Sequence, residues 1–384
     1  MAEKDWELTV LSQLKDLGWE LTNGTGIQPG TSYSERESAT RKPDSILPNY
    51  TAFRHCRESN ETLIIPGEVK EALRRLNPDA SKDQLKKAYT TLTRRRSDNL
   101  VQENKDVLDQ LRAGISVETK ASDRSLRTRN LQIISEDAAQ NTLLAAQQVS
   151  IVSNGRTYRL DIVMYCNGLP IGIIELKDQG KKLSDAYNQM ASYQREIPQA
   201  FTYNIVTIMG QPDEARYGTI GTPLSHTAQW NYDTEGEETP YGSFIDDRGH
   251  VSTQLSRIIQ AFGTTDILLD MMRRFTLFVG TGTDQGSQSY VKVLAKAHQF
   301  YAVRGALART VRTHTGRGQV GIVWHTQGSG KSYSMLFFAR AAMREKALHN
   351  PTIVVVTDRT DLDSQLYTTF KSTKSVLPDA PVQI

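Results

Sequence analysis

Three charged side chains stand close enough in the chain to share one reaction centre: Asp161, Glu175 and Lys177. They lie in "RTYRLDIVMYCNGLPIGIIELK", two β-rich runs joined at Asn167-Gly168, a dipeptide that favours a two-residue hairpin turn. Side chains alternate along a strand, so Glu175 and Lys177 share a face while Leu176 points away. The hairpin carries Asp161 to the same end, beside the apolar interiors Ile162-Val163 and Ile171 to Ile174. Carboxylates gathered there are costly unless a cation neutralises them. Hard oxygen ligands suit Mg²⁺, which polarises a phosphoryl oxygen, while the Lys177 ammonium can orient a water or offset charge on a phosphorane. The chemistry this predicts is metal-dependent phosphodiester hydrolysis. The plainer alternative is a hairpin with charges at its rim. Downstream, Gln189 and Tyr193 are four apart on a predicted helix, on a stripe apart from the packing residues Leu183, Tyr187 and Met190. A carboxamide and a phenol on an exposed stripe can hold a phosphate or its water.

A second constellation is His325-Thr326-Gln327-Gly328-Ser329-Gly330-Lys331-Ser332. Small residues let the backbone curl until several N–H groups face one anion, with a Lys charge beside them. Val320 to Trp324 is expected as a short strand, His325 to Gly330 as the turn, and Lys331 onward as a helix whose amino terminus faces the phosphates. In that arrangement Lys331 pairs with the β- and γ-phosphates and the Ser332 hydroxyl ligates Mg²⁺. Further on, "PTIVVVTDR" is expected as a buried parallel strand.

The elements that must position these groups follow from periodicity. Trp6 to Leu21 predicts an amphipathic helix ending near Gly18, followed by a long Gly-, Pro- and Ser-rich loop. Helices are predicted over Pro66–Asn77, Ser81–Arg112 and Lys182–Glu196, strands between Leu131 and Lys177, and another strand over Phe201–Met209. Gln211 to Gly249 predicts irregular surface chain. A helix over Asp266–Phe278 leads into "VGTGTDQGSQSY", expected as a linker. The domains expected are 1–260, a mixed sheet flanked by helices; 261–290, a connecting helix and linker; and 291–384, the beginning of a second α/β domain.

With 384 residues, two or three domains are expected. The longest apolar runs fall short of the about 18 residues of a membrane-spanning helix. The acidic start "MAEKDWELTV" lacks the order of a signal peptide, and the two cysteines, Cys56 and Cys166, make no disulfide framework. A cytoplasmic protein is the expectation. A net charge of +3 does not by itself announce nucleic acid; Arg94-Arg95-Arg96 and "DRSLRTRN" could touch phosphates or form a solvated helix face.

Asp161, Glu175-Leu176-Lys177 and Gln189-x-x-x-Tyr193 resemble the PD-(D/E)xK nuclease core in the form found in the restriction (R) subunit of type I restriction-modification enzymes. "DMMRRFTLFV", "HQFYAVRGAL", "VWHTQGSGKSYSM" and "IVVVTDRTDLDSQL" resemble successive segments of that subunit, so the resemblance covers most of Leu131 to Phe370. Two departures stand out: Leu160 where the nuclease motif has Pro, and His325 where the phosphate loop usually begins with Gly. The resemblance implies a PD-(D/E)xK nuclease followed by a RecA-like superfamily 2 helicase or translocase domain, of which 291–384 is a first half-lobe. It implies that Asp161 and Glu175 hold Mg²⁺ and that Lys177, Gln189 and Tyr193 complete the catalytic set. Glu7 is a further metal candidate, since related nucleases place a carboxylate on the first helix; a solvated helix face is its alternative. Gln299 resembles the glutamine that reads adenine in such motors, and Thr357 and Arg359 the segment that contacts the DNA backbone. The function implied is that of an ATP-dependent type I site-specific deoxyribonuclease acting on double-stranded DNA with methyltransferase and specificity subunits. S-adenosylmethionine would enter only through the methyltransferase. Nothing in these residues reads a base sequence. A repair or recombination nuclease-helicase and a non-catalytic assembly module are the alternatives, and the chain is expected to be the front of a longer subunit.

Overall fold

Two Asn-Gly pairs shape the central sheet. Asn154 and Gly155 have φ of 49° and 72°, and Asn167 and Gly168 have 49° and 80°, the left-handed pairs that close two-residue hairpins. The computed structural model describes residues 3–30, 55–120, 126–211, 214–233, 235–240, 244–245, 251–281, 289–313, 319–357, 367 and 370. The chain divides into two compact units, Met1–Gln229 with Pro240–Leu269, and Trp230–Thr239 with Asp270–Ile384.

The first unit begins with helix α1 (Glu3–Asp16) and strand β1 (Glu20–Asn23). The helix ends just before Gly18, near where it was expected to end: Gly18 takes φ of 90° and turns the chain, and Trp19 and Leu21 beyond it are buried. Helices α2 (Pro66–Leu76), α3 (Lys82–Thr93) and α4 (Leu100–Ala113) follow. The single helix expected over Ser81–Arg112 is broken between α3 and α4. There the Glu103 carboxylate accepts from Arg96 N at 2.8 Å and Ser97 N at 2.7 Å, and Asn99 caps α4 by accepting from Gln102 N at 3.0 Å. Strands β2 (Ile115–Lys120) and β3 (Leu126–Leu131) form an unforeseen antiparallel ribbon. The described part of "DRSLRTRN" is therefore strand rather than helix, held by the burial of Ile115, Val117 and Leu131.

Next come β4 (Leu143–Ser153), β5 (Arg156–Cys166), β6 (Leu169–Leu176), α5 (Leu183–Glu196), β7 (Val206–Gly210) and β8 (Ala215–Gly218). The six-stranded order is β1-β4-β5-β6-β7-β8. β1 runs parallel to β4 and β6 to β7, while β4–β5, β5–β6 and β7–β8 are antiparallel, so the sheet is mixed. One apolar core joins Leu160, Val163 and Ile173 to Ala186, Met190 and Tyr193 of α5. A two-residue pair, β9 (Phe244–Ile245) with β10 (Val251–Ser252), precedes α6 (Gln254–Gly263). α6 packs against α1, and Trp19 Nε1 donates to Gly263 O at 2.7 Å.

α7 (Thr265–Arg273) begins in the first unit and leads into the second, where it ends sooner than expected and Thr276 to Phe278 is already strand. β11 (Thr276–Thr281) pairs with β12 (Ser289–Leu294), because the branched and aromatic residues that looked like a helix end and a linker face each other across an antiparallel ladder. α8 (Ala297–Thr313) and α9 (Lys331–Arg344) pack against each other. Phe275, Phe300 and Phe337 meet at centroid distances of 4.7 and 5.7 Å, and the buried Arg340 donates to Thr276 O at 2.6 Å. Trp230, expected on irregular surface chain, is buried against Phe300 at 5.7 Å, because an indole of that size finds its cover in this unit. The strands expected over Val320–Trp324 and Ile353–Val356 are not formed among the described residues. A strand needs a ladder partner, and here Ile322 is 96% and Val356 85% exposed. No helix among the described residues is long and apolar enough to cross a membrane.

Candidate active site

The end of the β5–β6 ladder assembles the first constellation. The register Ile162↔Ile174 sets Asp161 and Glu175 at one end of two neighbouring strands. Both carboxylates are buried, Glu175 completely and Asp161 to 5% exposure. Leu176 N donates to Asp161 Oδ2 at 2.8 Å, which fixes one oxygen of that carboxylate. Lys177 Nζ donates to Glu175 Oε1 at 2.5 Å and to Leu176 O at 3.0 Å. Lys177 N bonds Gly210 O at 2.9 Å, so the lysine backbone is anchored to the end of β7.

The face expected for Gln189 and Tyr193 is corrected. Tyr193 is 6% exposed and belongs to the core, since α5 buries Ala186, Met190 and Tyr193 at helical spacing, while Tyr187 is half-buried. Its hydroxyl accepts from Gln189 Nε2 at 2.5 Å and donates to Arg159 O at 2.9 Å, two residues before Asp161. Burial pushes the phenol pKa up, and the Glu175 carboxylate adds to the shift. The phenol therefore keeps its proton and serves as a fixed donor.

Glu7 is not on a solvated face. It is 3% exposed and reaches the same strands through two carboxamides that sequence reasoning missed. Gln147 Nε2 donates to Glu7 Oε2 at 2.6 Å, and Gln148 Nε2 to Glu7 Oε1 at 2.7 Å and Asp161 Oδ1 at 3.5 Å. Among the described residues, no three acidic, His or Cys side chains gather closely enough to hold one ion together. Asp161 and Glu175 are buried carboxylates on neighbouring strands with an ammonium beside Glu175, donors of the hard-oxygen type that a divalent cation such as Mg²⁺ takes. The only sequence signal for the glutamines is that two adjacent carboxamides interrupt the apolar run of β4.

The second constellation keeps its turn and helix. Gly328 and Gly330 have φ of 79° and 83°, so the loop curls into the amino terminus of α9 with Gly330 as its cap residue. Lys331 Nζ donates to His325 O at 3.1 Å and Thr326 O at 3.0 Å, inside the curl. Gln299 is 4% exposed; its amide donates to Gly330 O at 3.0 Å and accepts from Lys296 N at 2.9 Å, which ties α8 to the loop. His298 Nε2 lies 3.0 Å from Ser329 O and its ring meets His325 edge-on at 4.9 Å. Burial lowers the pKa of both imidazoles; their mutual repulsion and Lys331 add to it at His325. Thr357 is described and half-buried, whereas Arg359 lies outside the described residues.

Residues 1–248 match the family model described as the N terminus of the type I restriction enzyme R protein. The chain belongs to that family. Residues 298–383 match the SWI2/SNF2 ATPase model, the stretch that holds Gln299 and the phosphate-type loop. The type I restriction enzyme HindI endonuclease subunit of Haemophilus influenzae is 30% identical over 389 residues, covering 100% of this chain and 34% of its own length. The putative type I restriction enzyme MjaIXP endonuclease subunit of Methanocaldococcus jannaschii is 29% identical, covering 95% of this chain and 34% of its own length. The SauCOLORF180P endonuclease subunit of Staphylococcus aureus strain COL is 25% identical over 59% of this chain and 22% of its own length. The chain thus spans about a third of the length of the first two relatives. Its fold is a mixed sheet flanked by helices, joined to an ATPase-related segment.

Proposed function

We propose that this chain is the DNA-cleaving and nucleotide-binding portion of a type I restriction endonuclease subunit, with a PD-(D/E)xK nuclease core and the first part of a RecA-like motor. The observation that carries the reading is the convergence of Asp161, Glu175 and Lys177 at one end of the sheet, with Lys177 Nζ 2.5 Å from Glu175 Oε1. Buried charges are retained where chemistry uses them, since a hydrophobic replacement is often no less stable. When bound by Asp161 and Glu175, Mg²⁺ would supply Lewis-acid polarisation of the phosphodiester and a lowered pKa for water. Lys177 would hold a water or offset charge on the phosphorane. The Tyr193 hydroxyl stays protonated and, tethered to Arg159 O, fixes Gln189 beside the strand that carries Asp161.

In the second unit, backbone N–H groups from His325 to Gly330 would cradle nucleotide phosphates. Lys331 would exchange the carbonyls it now meets for phosphate oxygens. Ser332 would hold the nucleotide's Mg²⁺, and Gln299 would read adenine. Thr357 and Arg359 are proposed to meet the DNA backbone. ATP-driven translocation, double-stranded DNA as substrate, and methyltransferase and specificity subunits as partners belong to the same proposal. A cytoplasmic site of action fits it. Sequence choice would rest with the partners, because no base-reading element is present among the motifs.

The test is a pair of separated losses in the assembled, full-length enzyme. Asp161→Ala should lower Mg²⁺-dependent DNA cleavage by about 10² to 10³ while ATP hydrolysis continues, and Lys331→Ala should remove ATP hydrolysis. Cleavage that persists in Asp161→Ala, Glu175→Ala and Lys177→Ala alike would place the nuclease elsewhere.

A further inference from the structure

We infer that Gln148 is a positioning residue for the metal-dependent site proposed above, fastening Asp161 to the buried Glu7 and so setting the direction in which Asp161 offers oxygen to a divalent cation. The inference rests on that nuclease reading and adds to it a residue outside the charged set.

Three observations support it. First, Gln148 has φ of 54° in the middle of β4, a conformation that residues with a side chain rarely hold unless their surroundings impose it. Second, the ladder is registered at Gln147↔Ile162 and Val149↔Leu160 on either side, so the turned residue stands directly across from Asp161. Third, its amide nitrogen reaches both carboxylates, at 2.7 Å to Glu7 Oε1 and 3.5 Å to Asp161 Oδ1.

Donors and acceptors alternate without a break: the Gln147 amide, the Glu7 carboxylate, the Gln148 amide, the Asp161 carboxylate and Leu176 N. Such a chain can fix the rotation of Asp161 from both of its oxygens. It also gives the buried charge of Glu7 a use without direct ligation, since Glu7 holds the amide that holds the ligand. Hydrogen-bonded partners of metal ligands act in this way, orienting the ligand and tuning its basicity. The backbone is arranged for it as well. A Cβ built on Gly24 would stand 2.3 Å from Gln148 O, so only glycine lets the chain after β1 pass the turned residue.

The experiment is direct titration of the purified chain with Mn²⁺, read by calorimetry, with thermal unfolding in EDTA as the structural control. Gln148→Met keeps the side-chain length and removes the donor. It should weaken Mn²⁺ binding by about 10- to 100-fold in a protein that still unfolds cooperatively in EDTA, at a melting temperature lowered by the donor that Glu7 loses. Gly24→Ala leaves every polar group in place but displaces the Gln148 backbone, and should weaken binding in the same direction even if Gln148→Met folds poorly. Asp161→Asn is the reference for a lost ligand. Should Gln148→Met and Gly24→Ala bind Mn²⁺ like the wild type while Asp161→Asn does not, the inference is overturned and the nuclease reading stands. If the wild type and Asp161→Asn bind alike, the metal site and this inference fall together.

Discussion

Replacing Lys177 by Met tests what compensates the most deeply buried charge in the site. Glu175 is fully buried, and Lys177, whose side chain is 12% exposed, is its ion-pair partner at 2.5 Å. Met keeps the aliphatic stem and packing of the lysine, so the change is mainly electrostatic. Removing one partner of a buried pair withdraws its counter-charge from the other, which costs about 3–5 kcal/mol. Because the Lys177 amine retains some water contact, the lower end, about 3 kcal/mol, is the figure expected here. That is a large share of the about 5–15 kcal/mol that holds a typical domain folded. The assay is urea unfolding in EDTA, followed by circular dichroism, with wild type, Lys177→Met, Glu175→Gln and the double variant. Lys177→Met should be destabilised by about 3 kcal/mol, and the double variant should recover most of the loss, since a neutral amide no longer needs the ammonium. Mg²⁺ should restore part of the stability of Lys177→Met and none of that of the double variant, while DNA cleavage by the assembled enzyme fails in all three. Stability of Lys177→Met within about 0.5 kcal/mol of wild type in EDTA would refute the idea that the ammonium balances Glu175 in the metal-free protein.

Tyr193→Phe deletes the hydroxyl that joins Gln189 to Arg159 O. It should cost about 1 kcal/mol of stability and lower cleavage while ATP hydrolysis by the full-length subunit holds, which nicking and phosphate-release assays read separately. The second unit should lose stability on acidification. Its His298 and His325 have folded pKa values below the ordinary one, so the unfolded chain binds more protons below about pH 6.5 and stability present above that pH falls as pH drops. Melting temperatures between about pH 7.5 and 5.5 should show a smaller fall in His298→Gln than in wild type, and equal falls would remove these imidazoles from the account.

Sequence alone determined the parts whose cause is local. Asn167-Gly168 closes its hairpin because Asn and Gly accept left-handed backbone, and alternation then puts Glu175 and Lys177 on one side. The two glycines before Lys331 likewise permit the curl at the start of α9. Periodicity was less decisive wherever a distant partner chose the outcome. Thr276 to Phe278 became strand because β12 lies opposite, and Ile322 to Trp324 did not, because no described strand does. Tyr193 looked like an outward donor, yet its place in the core depends on which side of α5 meets the sheet. Tertiary structure alone decided the surroundings of Asp161. Glu7, Gln148 and Leu176 are separated by 141 and 28 positions along the chain, and the bonds that run from Glu7 through the Gln148 amide to Asp161 and on to Leu176 N form only because β4, β5 and β6 are hydrogen-bonded neighbours with α1 packed beside them. Spacing can announce a charged pair on one hairpin, whereas a carboxamide held at positive φ to join two acids is a property of the closed sheet.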